Sequence, residues 1–328
     1  MSYAFSPETA VDEAGYERVV RELCSFISNP GLDELANLYA TDISTYSTEQ
    51  RLVALGSLAS AHWDFRKGAE RQSTDWSEER LNVIDSSQSR VIFSAAAKLG
   101  MVASSCAENK CPDYLVVLGG ANRSPLDRLR YGMEQTDDFG QILYMGSDRP
   151  LGDAEKQKAN DYAPGAETEY QLGVGAFTTY LGAEKIERAR MLFEGETWGV
   201  ELFDFALNNG EKKRAVAFNS PQMIGTHRAT TYDNYRFLAR IATLHHHLRT
   251  TIVSVTTGFY VPAQHAPALQ EITLPYGVTL ETIGHDAGYS GANRTSTQLL
   301  QETKAAIDAH KRLYDSIAAA GKSMAWAS

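Results

Sequence analysis

Three short apolar runs are cut off by Gly, Ser or Thr: YLVVLGGA (114–121), QILYMGS (141–147) and TIVSVTT (251–257). Each is followed by helix-like sequence. Fully buried parallel strands read this way, because helices cover both faces of their sheet and no solvent face imposes alternation. Ligands of such sheets bind beyond the carboxyl ends of the strands, where backbone amides and the N-termini of the following helices point outward. The pattern therefore locates a site before it says anything about chemistry.

From residue 113 onward strand and helix signals alternate. Strands are expected at 113–118, 141–146, 214–218, 251–257 and 278–283, and helices at 124–136, 166–183, 229–248, 263–274 and 296–319. Such alternation implies right-handed crossovers and a parallel sheet. The stretch 184–213 is harder to place, and a helix around Trp198 to Leu207 is one reading. Residues 1–105 carry helical periodicity instead: Tyr16, Val19, Val20, Leu23 and Phe26 recur at spacings of three and four. Asn29-Pro30-Gly31 reads as the end of that helix, Leu52, Leu55, Leu58 and Trp63 as a second apolar face, and Thr74 or Ser77 as the cap of a third helical region running to Leu99. The expectation is an α/β fold: a three-layer Rossmann-like parallel sheet with an N-terminal helical appendage. Its division is a helical region over 1–105 and an α/β domain with a C-terminal helix over 106–328.

The net charge of −10 argues against a general nucleic-acid surface, which needs a basic stripe. No apolar run approaches the roughly 20 residues needed to span a bilayer. The acidic first twenty residues lack the apolar core of a signal peptide, and three cysteines form no disulfide framework, so a cytoplasmic location is expected. Assembly into a homo-oligomer stays open.

The polar residues at the strand ends are the candidates for chemistry. Gly119 and Gly120 let the backbone turn sharply and approach a ligand closely, with Asn122 beside them. GGANRSPLDR has neither the spacing of a dinucleotide fingerprint nor the Lys-Ser/Thr of a P-loop. Ser124-Pro125 reads as a helix cap followed by Pro at the first helical position. The second strand ends in Gly146 and Ser147, then Asp148 and Arg149, which bind a polar ligand or pair with each other. Glu167 and Glu169 fall in a first helical turn, where the dipole favours carboxylates without any function. Glu169 is equally suited to bind a ribose hydroxyl or act as a base.

GTHRATTYDN (225–234) is the most distinctive polar cluster. Thr230 or Thr231 caps the next helix with Asp233 in its first turn, while Asn234 is left over for a loop or a ligand. His227 is a candidate acid or base. His245, His246 and His247 point about 100° apart on a helix and cannot share a metal. Thr256, Thr257 and Tyr260 present hydroxyls at the end of the fourth strand. No G-x-S-x-G elbow is present, which counts against an α/β-hydrolase.

In order and spacing these strand-end motifs resemble the YdcF/SanA/ElyC-like family of bacterial Rossmann-like domains. VVLGG (116–120) matches the opening strand, Arg128 the helix arginine, Gly146-Ser147 the second turn, and Glu167 or Glu169 the acidic residue after it. Thr231-Tyr232-Asp233-Asn234 meets T-x-[DE]-N, and Val255-Thr256-Thr257 meets V-T-S/T. The chain departs from the family pattern at Phe259-Tyr260 and at Arg228. The resemblance covers about residues 112–285 and leaves the helical region unaccounted for. It implies nucleotide-linked or phosphorylated ligands and brings in S-adenosylmethionine as a cofactor to test, the cofactor being otherwise unknown.

Together these readings point to a small-molecule-binding protein, an enzyme acting on a nucleotide-like or phosphorylated ligand. Arg128 would supply positive charge, and Gly119, Gly120, Asn122, Gly146, Ser147, Glu169, Thr231, Asn234, Thr256, Thr257 and Tyr260 would complete the site. The alternatives are an S-adenosylmethionine-dependent transferase, for which no glycine-rich E/DxGxG follows the first strand, and a non-catalytic sensor or scaffold.

Overall fold

In the computed structural model of the chain, residues 13–66, 84–193, 196–221, 229–241, 250–291 and 294–320 are described. His227, Arg228, the histidines at 245–247, and Thr74, Ser77 and Leu81 lie outside them. The chain divides into two compact units, one formed by 1–104, 258–277 and 286–328, the other by 105–257 and 278–285.

The first unit is helical. It comprises α1 (Glu13–Ile27), α2 (Pro30–Leu38), α3 (Thr48–His62) and α4 (Ser86–Lys98), then α9 (Val261–Ala268), a π turn (Leu269–Thr273), α10 (Leu274–Tyr276) and α11 (Ser296–Ala319). Asn29 ends one helix and starts another: its side chain accepts from the Gly31 amide, and Pro30 is the first residue of α2. Asp85 caps α4, through the Ser87 and Gln88 amides. One core cluster joins Leu32, Leu55, Trp63 and Ile92 to Phe259, Leu299 and Ile307. A second joins Val19, Leu23 and Leu52 to Leu269, Leu274, Leu313 and Ile317. The N-terminal helices thus share their core with 258–277 and 286–328, segments that periodicity alone grouped with the sheet.

The second unit is built on seven strands: β1 (Tyr114–Leu118), β2 (Gln141–Gly146), β3 (Glu184–Phe193), β4 (Glu196–Ala206), β5 (Lys212–Asn219), β6 (Thr251–Thr257) and β7 (Thr279–His285). Their order is β3-β4-β5-β2-β1-β6-β7. The five strands β5-β2-β1-β6-β7 are mutually parallel, while β3 and β4 form an antiparallel hairpin at the β5 edge. The expected parallel Rossmann-like sheet is present, widened to a mixed sheet by that hairpin. The helix considered around Trp198 to Leu207 is strand β4. Its burial alternates, with Glu201, Phe203 and Phe205 buried and Leu202 and Asp204 partly exposed, which is the period of a strand and not of a helix.

Helices cover both faces. α5 (Ser124–Gln135) and α7 (Glu169–Tyr180) lie on one, with the short α6 (Asp153–Ala159) preceding α7. A Cβ on Gly132 of α5 would come 2.8 Å from the Val255 side chain, and one on Gly173 of α7 would fall 2.0 Å from the Tyr144 ring. α8 (Thr231–Ile241) covers the other face: Tyr235 bonds Ser254 at 2.6 Å, and Phe237 meets Phe218 edge-on at 6.0 Å. Among the described residues no helix is long and apolar enough to cross a membrane.

Candidate functional site

In chain order the parallel strands are β1, β2, β5, β6 and β7, so their order in the sheet reverses direction between β1 and β6. Doubly wound sheets bind ligands beyond the strand ends at such a reversal. The residues there are Gly119 and Gly120 after β1 and Thr257 closing β6.

Arg128, one turn into α5, joins the two strand ends. Its Nη1 donates to the Leu118 carbonyl at 2.9 Å and to the Gly119 carbonyl, while Nε and Nη2 reach the Thr257 hydroxyl at 3.4 and 3.3 Å. The side chain is 2% exposed. Sequence reasoning expected a cation facing a ligand; the structure places a buried guanidinium beneath the turn, bracing it. Beyond Thr257 lies His285, whose Nε2 is 3.5 Å from the same hydroxyl and whose ring meets Tyr131 edge-on at 5.9 Å. His285 closes β7, after Gly284, as Thr257 closes β6, and was not singled out in the sequence.

The glycines are fixed by what stands beside them. A Cβ on Gly119 would lie 2.7 Å from the Met145 carbonyl and 2.9 Å from Oε1 of Glu169; one on Gly120 would lie 2.9 Å from Cβ of Ser124 and 3.0 Å from Nη1 of Arg128. Asn122 sits at φ 55°, a left-handed conformation that Asn tolerates better than most side chains, and its carbonyl accepts from the Tyr162 hydroxyl at 2.5 Å. The turn 119–124 is half-exposed. Arg123, not Ser124, takes the cap position of α5 and makes no side-chain capping bond, while the Ser124 amide donates to the Ala121 carbonyl at 3.0 Å.

Glu169 begins α7, whose cap is Thr168. Its Oε2 accepts from the Ser147 hydroxyl at 2.7 Å and lies 3.9 Å from Nε of Arg149. Arg149 itself grips Glu155 through two parallel bonds of 3.1 Å. Burial opposes the charge on Arg149, but the Glu155 bonds and the Glu169 carboxylate raise its pKa above the ordinary arginine value. Asp148 and Arg149 were read either as binding a polar ligand or as pairing with each other; the arginine's partner is Glu155, six residues on. The other glutamate considered, Glu167, precedes the helix and pairs with Lys156.

The structure therefore brings Gly119, Gly120, Arg128 and Thr257 together, and joins Gly146, Ser147 and Glu169 to them through the approach of Glu169 to Gly119. Other candidates lie elsewhere. Thr256 shares the sheet face of Ser254, which α8 covers. Thr231 and Asn234 are in the first turn of α8, where Thr230 and Asp233 cap each other reciprocally. Tyr260 belongs to the helical unit, its ring 3.8 Å from that of Phe259.

Residues 11–100 match the family described as Rv3785 N-terminal domain. The uncharacterized protein Rv3785 of Mycobacterium tuberculosis (strain ATCC 25618 / H37Rv) is 26% identical over 336 residues, covering 93% of this chain and 92% of its own. The uncharacterized protein Mb3814 of Mycobacterium bovis is equally similar over the same shares. No solved structure matches the chain. These matches overturn the resemblance to the YdcF/SanA/ElyC-like family. The motifs that suggested it have local causes: Thr230 and Asp233 form a helix cap, and Gly119-Gly120 is a strand-to-helix turn with no room for side chains. Any doubly wound sheet invites such solutions. S-adenosylmethionine entered only through that resemblance and leaves with it.

Proposed function

We propose that the α/β unit binds a nucleotide-like or otherwise phosphorylated small molecule beyond the ends of β1, β2 and β6. The observation that carries this reading is the turn 119–124. It is half-exposed, it leads into a helix with no side-chain cap, and it lies between a buried guanidinium under Gly120 and a carboxylate beside Gly119. Amides at a helix N-terminus favour an anion, and the charge of Arg128 adds to their field. Glu169, held by Ser147 and near Arg149, is placed to accept a hydrogen bond from a ligand hydroxyl and to take its proton if the ligand is turned over.

Native mass spectrometry of the purified protein, followed by denaturation, tests the reading. The expected result is a stoichiometric phosphorylated molecule, with at least a tenfold loss of affinity in Glu169→Gln. A protein that is empty, and stays empty after incubation with a metabolite extract, sinks it.

A further inference from the structure

Asp127, in the first turn of α5, carries a charge that the site described above leaves unused. The residue is 7% exposed, and its carboxylate accepts no hydrogen bond among the described residues. Three arginines stand near it, and each is held elsewhere. Arg128 is engaged by the Leu118 and Gly119 carbonyls and the Thr257 hydroxyl. Arg123 pairs with Asp161 and lies over the Tyr162 ring at 5.9 Å. Arg130 lies over the Tyr180 ring at 5.8 Å. Asp161 and Tyr162, whose hydroxyl donates to the Asn122 carbonyl, complete the charged and titratable surroundings of Asp127. Burial outweighs the three guanidinium groups and holds the Asp127 carboxyl above the ordinary aspartate range.

A first helical turn ordinarily favours a carboxylate, because the dipole is positive there. At α5 the same turn is where the proposed ligand brings its own negative charge. Asp127 follows Ser124, the first residue of α5, by three positions, roughly 4.5 Å along the helix axis. At that separation, beside buried groups, two negative charges repel with little screening. Asp127 can relieve the conflict by taking a proton from solvent, and it has no hydrogen bond to lose in doing so. Glu169, the other carboxylate beside the turn, is differently placed: it accepts from the Ser147 hydroxyl and lies 3.9 Å from Nε of Arg149. Neutral Asp127 also leaves the arginines around it less compensated, which strengthens the positive field at the turn.

We infer that anion binding at the Gly119–Asn122 turn is proton-coupled, the anionic group of the ligand entering together with a proton that Asp127 takes up. This rests on the phosphate reading above and adds the regulation of that site. By linkage, a ligand that makes Asp127 bind a proton is itself bound more tightly as pH falls and released as pH rises.

Isothermal titration of the full chain with sulfate tests the inference, because sulfate, unlike phosphate, does not titrate between pH 5 and pH 8. Runs at both pH values, in buffers of different ionisation enthalpy, give the affinity and the protons taken up. The wild type should bind sulfate at least threefold more tightly at pH 5 than at pH 8, with proton uptake at pH 5. Asp127→Asn keeps the shape and removes a buried charge, so its unfolding midpoint at pH 7 should not fall. At pH 8 it should bind sulfate at least threefold more tightly than the wild type, and at pH 5 it should take up no proton. Glu169→Gln should keep the uptake. Equal wild-type affinity at the two pH values without proton uptake overturns the inference and leaves the phosphate reading standing. So does uptake that survives Asp127→Asn or vanishes with Glu169→Gln. Failure of sulfate to bind both the wild type and Asp127→Asn at either pH removes both.

Discussion

Each unit buries an arginine, and the two are used differently. In the helical unit Arg51 donates to the Ile27 and Ile43 carbonyls at 3.1 Å each and to the Asp33 carboxylate at 2.6 Å, closing the ends of three chain segments within the unit. In the α/β unit Arg128 donates to carbonyls at the end of β1 and to the hydroxyl at the end of β6, under a half-exposed turn. Unpartnered buried polar atoms follow the same division. In the helical unit they are spread over Trp63, the π turn and the start of α11. In the α/β unit Arg149, Tyr170, Asn219, Ser220 and Asn234 all follow a strand's carboxyl end or open the next helix. One unit spends its polarity on holding itself together; the other concentrates it along a single rim.

The comparison can be broken most directly at Arg128. Arg128→Ala strips the partner from two buried carbonyls and a hydroxyl and should cost about 3–5 kcal/mol in denaturant unfolding. A loss under about 1 kcal/mol would show that the guanidinium does not brace the strand ends. Next in size is Gly173→Ala. Alanine in a helix is ordinarily stabilising by about 1 kcal/mol, but here the new methyl meets the Tyr144 ring, and a net loss of about 2 kcal/mol is expected. A gain in stability would mean that α7 has room to shift.

Acid should distinguish the units. His310 of α11 is stacked on Phe26 at 3.6 Å, and burial, opposed by its bond to the Ala306 carbonyl, lowers its pKa to about 3. The unfolded chain protonates near pH 6.5, so stability is complete above that value and is lost as pH falls toward 3. Between pH 7 and 5 the loss should be about 2 kcal/mol. Hydrogen exchange should report it from α1 and α11 first, and His310→Phe should flatten the pH profile of the melting temperature. An unchanged profile refutes the assignment. The smallest effect sharpens the comparison furthest. Thr297→Val in the helical unit and Tyr170→Phe at the rim each remove a buried, unpartnered hydroxyl, and each should alter stability by less than about 1 kcal/mol.

The five parallel strands were legible because burial on both faces makes them continuous apolar runs, and their ends located the crevice. The hairpin β3–β4 was not, because its charged edge strand ERAR hides the alternation and the apolar VELFDF can be read with either period. At the site, Gly119, Gly120, Ser147 and Thr257 could be found from strand ends, and Glu169 from the first turn of a helix. Arg128 could be found but not its orientation, since nothing local says whether a helix arginine turns toward ligand or toward the carbonyls beneath. His285 was passed over because Glu281 and Thr282 break the apolar run of its strand, although Gly284 stands just before it.

The core of the helical unit is assembled from both ends of the chain, and synthesis meets those ends far apart in time. α1 to α4 leave the ribosome about 200 residues before α11, whose Leu299, Ile307 and Leu313 complete their clusters. Until then the apolar faces of α1 to α4 lack the part of their native cover that α11 supplies, while every described strand of the sheet has already emerged. The segment that carries the family match thus completes its core with residues of later segments. A chain halted before α11 should hold a formed sheet and an uncommitted, chaperone-dependent N-terminus.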